Sequence, residues 1–191
     1  SNGDSHAVDL QNNEGMVWIK GRLNAIHPYI YSTVRGANKY VRTNSNLIEQ
    51  TNSNSVSGVY SYGTNSFTIG SGNGSSFIDI NNNGTTFDYW VFRSKPRFFD
   101  IVTYTGIMSG SKTVSHNLQC EPGYIMIKNL DTNRNWACFH RSRGNASWQE
   151  FNTVSGFTSG SGSMWDTTTP TSTQFTVEQF SGINANGDNG D

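Results

Sequence analysis

Four side chains of zinc-binding type, His116, Cys120, Cys138 and His140, fall in one short stretch of the chain. Cys138 and His140 stand two residues apart in an apolar run, so a strand there carries both on one face. The spacing matches no zinc finger or knuckle. The chain also repeats itself at an offset of 108: Leu118-Gln119 falls on Leu10-Gln11, Ile127-Lys128 on Ile19-Lys20, and Phe175-Thr176 on Phe67-Thr68. At that offset the four zinc-type positions hold Val8, Asn12, Ile30 and Ser32. A unit that folds with those residues needs no metal, and none is expected. A second constellation, Asp79-Ile80-Asn81-Asn82-Asn83-Gly84, opens like a calcium loop. Its twelfth position is Trp90 where a bidentate Glu belongs, so it reads as a hairpin turn.

Nothing else resembles an active site. There is no Gly-x-Ser-x-Gly elbow, and Gly70-Ser71-Gly72-Asn73-Gly74 lacks the lysine and following helix of a phosphate loop. The carboxylates are scattered, with no two placed by sequence as an acid/base pair. The chain reads as a non-enzyme, without cofactor. Arg35-Gly36 and Arg143-Gly144 are the most suggestive polar residues, since both copies keep them. One reading makes each Arg a contact for an acidic or sugar ligand. The preferred reading has it tie a loop to the sheet, beside a Gly needed for its backbone geometry. Tyr60, Tyr62, Trp148 and Trp165 lie in polar, turn-rich stretches, and are the ligand-binding candidates as rings that stack on sugars. The competing reading has half or more of them capping the edges of small cores.

The elements that position these residues are all β. Met16–Lys20 and its copy Tyr124–Lys128 are short apolar runs of the kind covered on both faces. Tyr29–Tyr31 and Trp136–His140 follow as the next strand of each copy, the second after a turn at Asp131–Asn135. Phe67–Ile69 and Phe175–Val177 form a later pair. Phe77–Ile80 and Phe87–Phe92 flank an Asn-Gly turn that calls for positive φ. Short helical turns fit near Val34–Val41, but no long helix does. The fold class is therefore two tandem β-sandwich-like modules, residues 1–94 and 95–191, joined at Ser94–Arg97. A leading strand at Phe98–Tyr104 has no clear counterpart in residues 1–9, and the closing strand Tyr89–Phe92 none after Gly187–Asp191. The chain thus reads as a piece of something longer, or as one whose open edges a neighbour completes.

Composition bounds the partners. Ser, Thr, Asn and Gly make up close to half of the 191 residues, charged residues 14% and aromatics 13%. Small polar residues with many rings suit short strands and tight turns. A net charge of −1 gives no electrostatic basis for nucleic acid or an anionic membrane, and no apolar run has the length of a membrane span. Two cysteines do not make a disulfide scaffold, and two free thiols, at least one half-buried, is the preferred reading.

Lys95–Gly106, Ser115–Leu118, Pro122–Lys128 and Trp136 with His140-Arg141 together look like a repeat in tail-fibre and other virion structural proteins of tailed phages, largely marine and cyanobacterial. Met16–Arg22 with Val34–Lys39 is similar to the companion half of those tandem arrays. The resemblance covers roughly residues 10–185, through motifs that define a fold rather than a reaction. Cys120 departs from it, standing where a small residue is expected. It implies a structural and adhesive module of a tail fibre or similar extracellular virion appendage. The implied partners are other virion proteins, further copies in a homotrimer, and the host-surface polysaccharide. A capsid decoration or head-fibre protein and a carbohydrate-binding module are the alternatives.

Overall fold

The computed structural model describes residues 3–5, 7–22, 26–52, 57–70, 80–107, 109–159, 164–165 and 168–179. The fold is all-β, with antiparallel strands and two single turns of 3-10 helix among the described residues. Two compact units divide the chain: residues 1–42, 49–94 and 99–101 form the first, and 43–48, 95–98 and 102–191 the second. The division falls near Ser94, with two short segments exchanged across it.

The first unit holds β1 (Gly3–Ser5), β2 (Gly15–Gly21), β3 (Tyr29–Ser32), a 3-10 turn (Thr33–Arg35), β4 (Gly36–Arg42), β5 (Gln50–Thr51), β6 (Gly58–Tyr62), β7 (Ser66–Gly70) and β8 (Phe87–Arg93). They make a five-stranded sheet, β5-β4-β3-β2-β8, and a three-stranded one, β1-β7-β6. Strand alternation decides what lies between them: Val17 and Ile19 of β2 are buried while Met16, Trp18 and Lys20 are half-buried on the other face. Val17, Ile19, Tyr29, Tyr31 and Tyr40 of one sheet meet Val59 and Phe67 of the other in a single core, the arrangement of a sandwich. The outer face of β2 is covered in part by a cross-strand pair, Trp18 against Trp90, with ring centroids 5.9 Å apart.

The second unit holds β9 (Ser111–Ser115), β10 (Tyr124–Ile127), β11 (Ala137–His140), a 3-10 turn (Arg141–Arg143), β12 (Ser147–Glu150), β13 (Thr158–Ser159) and β14 (Gln174–Glu178). A four-stranded sheet, β10-β11-β12-β13, and a two-stranded one, β14-β9, enclose Ala137, Phe139, Val114, Phe175 and Val177, together with Met164 and Trp165.

Positions 108 apart do the same backbone work in the two units. The pairs Met16↔Ser32 and Ile19↔Tyr29 recur as Tyr124↔His140 and Ile127↔Ala137. Tyr29↔Arg42 recurs as Ala137↔Glu150, and Tyr40↔Gln50 as Trp148↔Thr158. Both 3-10 turns end on a glycine in the left-handed half of φ, Gly36 at +89° and Gly144 at +72°. A Cβ at either would meet nothing within 4 Å, so φ and not space demands glycine there. Lys20 donates to the carbonyl of Gly21, and Lys128 to that of Asn129. One shared pairing is shifted: Gly3 faces Thr68, whereas Ser111 faces Glu178, two residues further on at the same offset, and the β6–β7 and β2–β8 ladders have no counterpart among the described residues of the second unit.

Several element-level expectations need correction. Phe98–Tyr104 is not a strand. Phe98 N–H donates to Lys95 O and Arg97 takes φ +65°, which turns the chain there, and the place beside β14 is taken by β9. The first unit does have a strand within residues 1–9, since β1 pairs with β7. Gly84 has the positive φ expected of the Asn-Gly turn, at +76°, and β8 lies against β2. The proposed partner strand at 77–79, with Asp79, and the terminal turn at 187–191 lie outside the described residues.

Candidate functional site

Arg35 and Arg143 end equivalent 3-10 turns and meet different environments. Arg35, at the end of the 3-10 turn between β3 and β4, has its side chain 8% exposed. Its Nε donates to Ser32 Oγ at 2.8 Å, Nη2 to Ile30 O at 3.0 Å, and Nη1 to Glu49 Oε2 at 3.0 Å. Glu49, 15% exposed, also takes Lys39 Nζ at 3.1 Å. Each nitrogen of this guanidinium donates to the protein, so Arg35 ties the segment at Glu49 to the sheet, as the preferred sequence reading has it.

The second unit has a different constellation at the same positions. Phe157 stands where Glu49 does and His140 where Ser32 does, with Tyr124 in place of Met16. The Arg143 guanidinium lies 5.6 Å from the Phe157 ring centroid, exposed and without an ion pair among the described residues. His140 packs edge-on between Phe157 at 6.3 Å and Tyr124 at 6.0 Å. Its Nδ1 accepts from Ser142 N–H at 3.2 Å and lies 2.8 Å from the Ser142 hydroxyl. Arg141, also exposed, donates to the Glu121 carbonyl at 3.4 Å. Beneath the row, the Tyr124 hydroxyl donates to the buried Cys138 thiol. Burial and that thiol hold the Tyr124 hydroxyl above its ordinary range, while burial pushes the Cys138 thiol up to about 11. The result is a surface strip of three rings ending in a free guanidinium. It offers flat apolar faces, an imidazole and a planar cationic fork.

The four ring candidates fare differently. Trp165 is 1% exposed and belongs to the core of the second unit, against Phe139 at 5.5 Å. A ring with no face on solvent does not stack on a sugar, so Trp165 is a core residue. Trp148 is half-buried and packs on the edge of the same core. Tyr62 packs on the core of the first unit, where burial raises its hydroxyl well above the usual range. Tyr60 is the extra residue of a β-bulge between Val59 and Ser61, and is half-buried. Sequence reasoning missed Tyr124 and Phe157 as surface rings. The available signal was the change from Glu49 to Phe157 at the offset of 108, which removes the acid that Arg35 uses.

The zinc-type residues do not converge: no group of three or more His, Cys, Asp or Glu able to hold a metal occurs among the described residues. His116 is buried, stacked on Phe175 at 6.3 Å with Nδ1 accepting from Leu118 N–H. Cys120 and Cys138 are both free. No helix among the described residues is long and apolar enough to cross a membrane.

Residues 1–190 match a family described as a domain of unknown function, DUF7483. The chain belongs to that family. No curated protein and no solved structure matches it. The family description names no activity, so the reading of function rests on the two β units and on the strip that the second one carries.

Proposed function

We propose that the chain is a structural and adhesive module of a bacteriophage tail fibre or similar virion appendage, acting by binding and assembly without catalysis. On this reading its two units are copies of one β-sandwich-like module. It works outside the cell on the particle, as a homotrimer among other virion proteins, and touches the polysaccharide of the host surface.

The observation that carries the proposal is the recurrence, 108 residues on, of the same strand pairs and the same glycine-ended 3-10 turn. Each unit has its own core, so length can be added to a fibre by appending units without disturbing those already folded. The resemblance of Lys95–Gly106 and Pro122–Lys128 to phage fibre repeats points the same way. The exposed strip on the second unit favours an adhesive role over a purely architectural one.

The test is immunogold labelling of intact particles with antibody against the purified chain. Label on tail appendages supports the proposal. Label spread over the capsid gives the decoration-protein alternative. Absence of label on any particle, with sugar binding retained, gives the carbohydrate-binding module.

A further inference from the structure

We infer that the strip Tyr124–His140–Phe157–Arg143 is a binding site for a carboxylate-bearing saccharide, a uronic acid or similar acidic sugar. This deepens the adhesive reading by naming the ligand class.

The argument is a comparison within one chain. A guanidinium at the end of this 3-10 turn has two recorded fates. In the first unit three oxygens of the protein itself, one of them the Glu49 carboxylate, occupy it, and its side chain is 8% exposed. In the second unit both side-chain partners have been replaced, while the third, the Ile30 carbonyl, is a backbone group. The acid has become Phe157, the hydroxyl of Ser32 has become the His140 ring, and Lys39, which shares Glu49, has become Ser147. The arginine stays, and is now exposed with a ring behind it and no carboxylate in front. The chemistry that fits the vacated position is the one that fills it in the first unit, a carboxylate taken by the guanidinium fork.

The neighbours specify what the carboxylate is attached to. Tyr124, 42% exposed, and the partly covered Phe157 offer apolar ring surface on either side of His140. Apolar C–H faces of a pyranose pack on such rings. The exposed His140 ring, its Nδ1 occupied by Ser142, leaves Nε2 for a sugar hydroxyl. Arg141 adds a second exposed cation without an ion pair among the described residues, and so suits a polymer with a charge on successive sugars.

The experiment titrates the purified chain with trigalacturonate, its methyl ester and inorganic phosphate, following binding by calorimetry. The expected result is binding of trigalacturonate, weakened at least about tenfold by Arg143→Gln, by Tyr124→Ala and by the methyl ester. Phe157→Glu restores to the second unit the acid that occupies Arg35. It should abolish binding while leaving near-ultraviolet dichroism and the melting temperature intact, so a folding defect cannot mimic the result. Undiminished binding by Arg143→Gln or Phe157→Glu overturns the site, as does no binding by the unaltered chain. Equal affinity for the methyl ester, or for phosphate, overturns the ligand class. Particle labelling is untouched by these outcomes, so this inference and the appendage reading fail separately.

Discussion

Removing the Glu49 carboxylate should cost the first unit about 3 kcal/mol, because it strands a charge that water cannot reach. The magnitude follows from the environment of Arg35. Its side chain is 8% exposed and Glu49's is 15%, with the ion pair at 3.0 Å. At an effective dielectric near 20, two unit charges at that distance attract by about 5.5 kcal/mol, most of which replaces lost hydration. Deleting one partner leaves the desolvation of the other uncompensated, which costs about 3–5 kcal/mol. The lower end applies because Ser32 Oγ and Ile30 O remain as acceptors. Lys39 is 46% exposed and regains water, so it contributes little. Native-state hydrogen exchange on the β3 and β4 amides reads the effect unit by unit. A loss of 3 kcal/mol appears as roughly a hundredfold faster exchange in Glu49→Ala. Arg143→Ala at the equivalent exposed position should change exchange in the second unit less than about twofold, and replacing both Arg35 and Glu49 by Met and Leu should recover most of the loss. A Glu49→Ala effect no larger than that of Arg143→Ala would refute the reasoning.

Four further outcomes follow from the geometry. Gly144→Ala should destabilise the second unit by about 1 kcal/mol in urea, since φ is +72°, whereas Gly123→Ala, in open space without positive φ, should be near neutral. Iodoacetamide at pH 8 should label Cys120 and spare buried Cys138, whose thiol, pushed up to about 11, is only about one part in a thousand thiolate there. Because that value lies above the ordinary 9.0, Cys138 stabilises the fold fully below about pH 9; urea titrations should show its contribution lost as pH rises toward 11. Trp165→Ala should cost about 3–5 kcal/mol in thermal unfolding, and folded protein at low temperature should keep its saccharide binding unchanged.

Much of the framework was legible in the sequence because strand periodicity is local. Met16–Lys20 reads as an apolar strand covered on both faces, and the structure makes it a strand that buries Val17 and Ile19 and half-covers Met16 and Trp18. The glycines after Arg35 and Arg143 signalled a special backbone geometry, and both carry positive φ. Pairing was less legible. Phe98–Tyr104 is rich in the aromatic and β-branched residues of a strand, but β9 takes the edge of β14, a choice made by tertiary competition. Trp165 sits among Ser and Gly and reads as exposed, yet burial is settled by residues distant in the chain such as Phe139. The two arginines looked alike because what separates them lies 14 residues away, at Glu49 and Phe157. A motif gives the turn that presents a guanidinium; only its surroundings say whether the protein has already used it.

The most direct test of this contrast is a proton–nitrogen NMR titration of the chain with trigalacturonate, following the side-chain Nε–H signals of Arg35 and Arg143. Arg143 should shift in a saturable way while Arg35, held by Ser32, Ile30 and Glu49, stays in place. Movement of both signals together, or of neither, would contradict the account.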